Sequence, residues 1–281
     1  MGERLTVAVQ VSDDPAELGP QDLIILAVKA PSLAAVAPAV RALLGPQTRV
    51  LVAMNGLPWW FFDELSGEAR GLRLEAVDPG GVIRALLPTE RVIGCVVHAS
   101  CSVPEPGLVR HATMGRGLIV GAPAGAHTPE VSAVAALLGR AGFDVSVSAC
   151  IQRDIWFKLW GNMTFNPISA LTGATGDRIL ADELVLNFVS AVMLEAAAIG
   201  ARIGCAIEQS PAERHVVTRK LGAFKTSMLQ DVEAGRTIEL NALVASVREV
   251  GAHLGMATPF TDALLGLTRL MAQTRGLLLA P

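Results

Sequence analysis

The sequence predicts an α/β domain followed by an all-helical domain. Three observations carry this. Up to about Ala149, short apolar β-branched runs alternate with Ala- and Leu-rich helical stretches. From Asp154 to Leu279, nearly every stretch fits helical periodicity. The chain has 281 residues, and at roughly 150 residues per domain that is about two domains.

Composition narrows the function classes. Hydrophobic residues make up 51% and charged residues only 17%, which excludes disorder as the overall state. The net charge is −3 and the isoelectric point about 6.0, so no global basic field points to nucleic acid. The start has no basic region followed by an apolar one, so no signal peptide is expected. A spanning helix needs about 18–20 residues with few or no charges. The best candidate, residues 184–207, carries Glu195 and Arg202; residues 23–40 carry Lys29, Pro31 and Pro38. The apolar excess therefore reads as buried core, with no membrane segment. Cys95, Cys101, Cys150 and Cys205 form no C-x-x-C pair, and His98, His111, His127, His215 and His253 are scattered. This pattern predicts reduced thiols in a cytoplasmic protein without a metal site.

The elements follow in order. In Asp14-Pro15-Ala16-Glu17, Asp14 is placed to cap a short helix, Pro15 suits its first turn, and Glu17 completes a capping box. The run Asp22-Leu-Ile-Ile-Leu-Ala-Val28 suits a strand buried on both faces. Residues 31–44 are helical, and 50–53 form a second strand ended by Asn55-Gly56. Strand, helix, strand in this order is a right-handed βαβ unit of a parallel sheet. Further strands are expected at 92–99, 107–111, 117–120 and 143–147, and a helix over 129–141. In the helical half, breaks are expected near Pro167, Pro211 and Pro259. Gly115-Arg-Gly117-Leu-Ile-Val-Gly121 has the spacing G-x-G-x-x-x-G and leads into a strand. It reads as a hairpin turn in an antiparallel extension, since a phosphate loop must join a strand to a helix N-terminus.

Three constellations could carry chemistry. Lys158, Asn162 and Asn166 sit at i, i+4 and i+8, one stripe of a helix that is apolar on nearly every other face. Such polar groups serve either a bound ligand or a network with neighbouring backbone, and burial would lower the lysine pKa toward neutrality. Ser227 and Asp231 share a helix face, and Glu239 opens the next helix, where it either caps or binds a ligand. Lys29 and Asn55 each end a parallel strand, facing the crevice where open α/β sheets hold ligands; Asn55-Gly56 also suits a plain turn.

These stretches together resemble the ketopantoate reductase (2-dehydropantoate 2-reductase) family. The resemblance rests on Asp22-Leu-Ile-Ile-Leu-Ala-Val-Lys29-Ala30, Asn55-Gly56-Leu57, Trp156-Phe-Lys158-Leu-Trp-Gly-Asn162-Met-Thr-Phe-Asn166-Pro167, and Ser227-Met-Leu-Gln-Asp231 with Glu239. Pro104-Glu-Pro-Gly107-Leu-Val-Arg-His111 matches the family's sheet extension. The resemblance covers nearly the whole chain. It implies a Rossmann-like NADPH-binding domain over residues 1–149, and a helical substrate-binding and catalytic domain over 150–281. The implied reaction is reduction of 2-dehydropantoate, or a related 2-keto acid, to pantoate for pantothenate and coenzyme A synthesis. Residue by residue, Lys158 matches the catalytic lysine, and Asn162 and Asn166 match substrate-binding asparagines. Ser227 matches the serine near the substrate carboxylate, and Glu239 the acid that binds the substrate hydroxyl and borders the cofactor. Lys29 and Asn55 match positions beside the nicotinamide half. The family's opening strand, G-x-G-x-x-G turn and helix have no counterpart after Met1-Gly-Glu-Arg-Leu. The expectation is therefore an N-terminally truncated nucleotide domain with an exposed sheet edge. A non-catalytic substrate-binding and dimerising paralogue and a related hydroxy-acid dehydrogenase are the alternatives. The apolar helical half admits a homodimer.

Overall fold

The structure is a computed structural model that describes residues 4–125 and 127–278. A 3-10 turn (Pro15–Glu17) leads into β1 (Gln21–Leu26), α1 (Leu33–Ala42) and β2 (Leu44–Val52). A largely irregular segment contains the short α2 (Val82–Leu86). Then come β3 (Val92–Glu105), β4 (Leu108–Gly121), α3 (Pro129–Arg140) and β5 (Asp144–Val147). The rest is helical: α4 (Ile151–Thr172), α5 (Gly176–Ala181), α6 (Glu183–Arg202), α7 (Pro211–Arg219), α8 (Ser227–Glu233), α9 (Ser246–His253, entered through a π turn at Asn241–Ala245) and α10 (Pro259–Thr274).

The described strands form one sheet in the order β1-β2-β3-β4-β5. β1, β2 and β3 run parallel, β4 is antiparallel to β3, and β5 is parallel to β4. The sheet is thus mostly parallel, with the antiparallel step confined to the β3–β4 hairpin. The two short strands expected at 107–111 and 117–120 are one strand, β4, and its hairpin turn lies at Pro106-Gly107, not at 115–121. Gly107 has φ +80°, which glycine adopts without steric cost. Gly115 also has positive φ, and the β3–β4 register slips between Ala99 and Cys101. A Cβ on Gly115 would lie 2.6 Å from the His98 carbonyl oxygen. This glycine marks a bulge inside the strand. Asp14 does cap the first turn, accepting from Ala16 N–H at 2.9 Å. The capping box fails, because the Asp14 N–H donates to Ser12 Oγ and Glu17 accepts from the Ser12 hydroxyl instead.

Strand β2 is buried on both faces. Leu51 joins Ile93, Cys95, Leu118 and Val120 against Val131, Val134 and Leu138 of α3. Val50 and Val52 face the larger core, with the aromatic run Trp59-Trp60-Phe61-Phe62 and the helices. At the outer edge β1 leaves Ile25 51% exposed.

The helical half meets the sheet through a notch. Gly94 of β3 pairs with Gly121 of β4. A Cβ on Gly94 would sit 2.7 Å from Trp60 and 2.8 Å from Ile151, and one on Gly121 3.0 Å from Ile151. The two missing side chains make room for Ile151, the first residue of α4, which is fully buried. Further along, Trp156 and Trp160 point their indole N–H groups at α6, donating to the Ala196 and Met193 carbonyls at 3.3 and 2.7 Å. Gly200 permits this approach, since a Cβ there would meet Trp156 Nε1 at 2.4 Å. Both ends of this register fix the rotation of α4, and with it the direction of Lys158.

Of the three breaks expected in the helical half, those near Pro211 and Pro259 are present and the one at Pro167 is not. Pro211 and Pro259 open α7 and α10, where a missing N–H costs nothing. Pro167 does not break its helix but lies inside α4, which ends at Gly173 in the left-handed conformation. Burial on nearly all sides outweighs the one lost backbone bond. α6 is long and apolar enough to cross a membrane by length and composition, with mean hydropathy 1.9 over its best stretch, of which 33% is buried. Only one face, including Val189, Val192, Met193 and Ala196, packs in the core; Leu184 and Leu194 are exposed.

Gly94→Val is expected to destabilise the fold by roughly 1–3 kcal/mol, because it overpacks a filled notch. Gly139→Ala on α3, whose added Cβ meets nothing within 4 Å, is expected to be neutral or slightly stabilising. Urea denaturation of both variants measures the contrast; equal midpoints would remove the notch from the account of how α4 is seated.

Candidate active site

Lys158 projects from the buried helix α4 toward the loop after β2 and the interior of β3. Its ammonium donates to Asn55 Oδ1 at 2.8 Å and to the Val97 carbonyl at 2.6 Å. An ammonium has three N–H donors, so two are fixed and a third is left for a ligand. Burial drives the Lys158 pKa down to about 8; the nearby Cys95 and Glu239 pull it the other way. The lysine is therefore protonated at neutral pH yet close to giving its proton up.

Asn55 follows β2 in the Asn55-Gly56 turn. Gly56 has φ +81°, and a Cβ there would fall 2.6 Å from the Ala242 carbonyl oxygen. That carbonyl accepts from the Leu57 N–H at 3.0 Å. The turn is thus docked on the π turn that opens α9, and a larger residue would push Asn55 off the lysine.

Glu239 precedes that π turn and is 8% exposed. It does not cap its own helix; its carboxylate accepts from the Ala30 N–H at 3.2 Å, across the cleft. Burial raises its pKa, opposed by the Ala30 N–H, the Asn55 amide and the charge of Lys29, with Asp231 adding to the rise. Lys29 pairs with the buried Asp231 at 2.5 Å and lies 3.4 Å from the Thr237 carbonyl. Arg236 shares the same carboxylate at 3.0 Å. Both strand-end residues that face the crevice are thus engaged by the helical half.

Asn162 borders the same space as Lys158 and Asn55. Asn166, one turn on, is buried. Ser227 is the exposed first residue of α8, which packs against α4 and is capped by Thr226 accepting from Leu229 N–H at 3.2 Å. The structure therefore gathers Lys158, Asn55, Glu239 and Asn162. Among the described residues, no hydrogen bond ties Asn166 or Ser227 to that group. The Val97 carbonyl and the Ala30 N–H are main-chain partners that no side-chain pattern could announce. Cys95 was legible only as one of four scattered thiols.

The space at the lysine tip is about 10 Å³, room for no more than a water. A wider cleft of about 290 Å³ runs between Ala30–Ala34 and Thr237–Ala242. The Lys29–Asp231, Ala30–Glu239 and Leu57–Ala242 contacts join the sheet half to the helical half beside it. Among the described residues, no group of three or more His, Cys, Asp or Glu side chains could hold a metal ion.

Comparison with known proteins identifies this arrangement. The family pattern described as "Ketopantoate reductase PanE/ApbA C terminal" matches residues 150–272, and "Ketopantoate reductase PanE/ApbA" matches residues 2–61. A 2-dehydropantoate 2-reductase of Mesorhizobium japonicum is 42% identical over 275 residues, covering 98% of this chain and 84% of the relative. The chain belongs to the ketopantoate reductase family. A crystal structure of a candidate ketopantoate reductase from Ralstonia solanacearum is 59% identical, with a TM-score of 0.93 over 97% of this chain and 83% of that one. A D-mandelate dehydrogenase, solved with NADH and anilino(oxo)acetate, shares the fold at 20% identity and a TM-score of 0.74 over 92% of this chain and 77% of that one. The ketopantoate reductases are oxidoreductases, and the mixed sheet with its helical C-terminal half is their fold.

Glu239→Gln removes the negative charge that supports the Lys158 ammonium, so the lysine pKa is expected to fall below about 8. A shift of the alkaline limb of the pH–rate profile to lower pH, or an NMR titration of Lys158, checks the sign; an upward shift would contradict it.

Proposed function

We propose that this chain reduces 2-dehydropantoate, or a closely related 2-keto acid, to the 2-hydroxy acid with NADPH. This is the step that makes pantoate for pantothenate and coenzyme A synthesis. The observation that carries the reading is a buried, doubly accepted Lys158 ammonium, with a pKa near neutrality, in a ketopantoate reductase chain.

The donor set suits the nicotinamide half of a dinucleotide, and the choice of NADPH over NADH comes from the family resemblance. Lys29 is a partly exposed cation at the end of a parallel strand, where such folds hold nucleotides. Gly56 keeps the neighbouring turn close to the helical half. Lys29, Asn55 and Glu239 would hold the nicotinamide half, which when bound supplies the hydride.

The chain's own residues do the rest. Lys158 gives its free N–H to the keto oxygen and transfers the proton as negative charge develops there. Asn55 Oδ1 and the Val97 carbonyl aim the ammonium and do not compete for that third donor. Asn162 and Asn166 offer amides to the substrate from the same helix stripe. Glu239 accepts from the substrate hydroxyl, and Ser227 lies toward its carboxylate. In this reading residues 1–149 form the nucleotide-binding part and 150–281 the substrate-binding and catalytic part. A cytoplasmic setting and a homodimer through the helical half, where Leu194, Leu267 and Leu270 are exposed, belong to the same reading.

The purified protein is expected to consume NADPH when given ketopantoate. Lys158→Ala should lower kcat by roughly 10²–10⁴-fold with an unchanged circular dichroism spectrum; full activity would remove Lys158 from the chemistry. Because reduction needs the protonated lysine, the rate should decline as pH rises through about 8, while pantoate oxidation should rise over the same range. A flat profile would sink the assignment of Lys158 as proton donor.

A further inference from the structure

The connection between β2 and β3, residues 53–91, is fastened in two ways. Its start is apolar: Trp59, Trp60, Phe61 and Phe62 are buried in the core, and the Phe61 ring lies 6.1 Å from that of Trp156 on α4. Its middle is tied to the helical half by polar contacts. Glu249 of α9 accepts from the Glu75 and Ala76 N–H groups at 2.8 and 2.9 Å. Arg202 at the end of α6 pairs with Glu68, and His253 Nε2 lies 3.3 Å from the Glu68 carbonyl oxygen.

The two N–H groups on Glu249 belong to a single turn. Val77 and Asp78 both donate to the Leu74 carbonyl, at 3.1 and 2.9 Å. Glu75 and Ala76 lie inside that turn, where no carbonyl of the turn can take their protons, as at the start of a helix. One carboxylate has an acceptor oxygen for each, and such bonds are charge-assisted. They fix the main chain itself, not the tip of a side chain.

This turn is a wall of the wide cleft. Ala76, Val77 and Pro79 line it, together with Ala30 and Ile238. Ala30 follows Lys29 and donates to Glu239, and Ile238 precedes Glu239. The wall therefore borders the residues given above to the nicotinamide half. Glu239 comes just before the π turn, and Glu249 lies in the helix α9 which that turn opens. The stretch of chain that carries Glu239 thus also grips the wall. Glu249 itself lines neither the cleft nor the space at the lysine tip.

We propose that Glu249 is a positioning residue for cofactor binding: its two main-chain hydrogen bonds hold the Ala76–Pro79 wall in place relative to Glu239, so the cleft is formed before the dinucleotide arrives. This rests on the reductase reading above. A wall that wanders leaves only a fraction of the molecules ready to bind, and the apparent affinity falls by that fraction. Saturating ligand restores the ready form. Loss of Glu249 therefore raises KM for NADPH and spares kcat.

Kinetics, calorimetry with NADPH and hydrogen–deuterium exchange test this on the wild type, Glu249→Ala, Glu249→Gln and Arg202→Gln. Glu249→Ala should speed exchange over residues 75–78 and raise Kd and KM for NADPH by roughly 3- to 30-fold, with kcat unchanged. Glu249→Gln keeps one acceptor oxygen and should show a smaller rise. Arg202→Gln frees Glu68, which does not line the cleft, and should leave KM unmoved. Unchanged exchange in Glu249→Ala, an equal rise of KM in Arg202→Gln, or a wild type that binds no NADPH overturns the proposal. If NADPH binding depends on Glu249 but the wild type consumes none with ketopantoate, the reductase reading fails alone. If wild-type turnover is normal and Glu249→Ala lowers the melting temperature without moving Kd or KM, the positioning role fails alone.

Discussion

The structure is organised around one buried ammonium. Lys158 sits where water is nearly excluded, and a charge there is tolerable only because Asn55 Oδ1 and the Val97 carbonyl accept two of its protons. Those acceptors come from the loop after β2 and from β3. The lysine comes from a helix later in the chain, 103 residues after Asn55 and 61 after Val97. Satisfying one side chain therefore requires the sheet and the helical half to be docked in a single orientation. The same burial brings the lysine pKa to about 8, so the condition that fixes the fold also sets the chemistry.

That docking depends on small residues at close approaches. Gly94 and Gly121 open the notch for Ile151, Gly200 admits the Trp156 indole to a helix carbonyl, and Gly56 lets the Asn55 turn rest on Ala242. Each removes a side chain where another group must pass. The result is a helix α4, buried on nearly all sides, that presents Lys158 and Asn162 to the space beside Asn55. Rigidity matters here because a proton donor must be held to a fraction of an ångström and cannot be allowed to search.

The cleft itself is bordered by polar contacts. Lys29 with Asp231 and the Ala30 N–H with Glu239 join the two halves beside it, with the Leu57–Ala242 bond. Such contacts can be exchanged for water or ligand at modest net cost, unlike the apolar seat of α4.

Much of this was legible in the sequence. The helix stripe of Lys158, Asn162 and Asn166, the strand ends at Lys29 and Asn55, and the change from α/β to helix near Ala149 follow from periodicity and strand chemistry, which are local properties of the chain. The long β3–β4 hairpin reads in the sequence as separate pieces, because Gly115 and Gly117 look like a turn until the partner strand shows Gly115 as a bulge and Gly117 paired with His98. Pro167 was read as a break, because the burial that holds α4 together around it is not local. Glu239 could be a cap or a ligand until its carboxylate was found on the Ala30 N–H, about 210 residues away in sequence. Sequence by itself determined which residues are polar in an apolar setting, since that pattern is written in composition and spacing. Only the tertiary structure decided which of them meet, because main-chain partners such as the Val97 carbonyl and the Ala30 N–H carry no signature until the chain is folded around them.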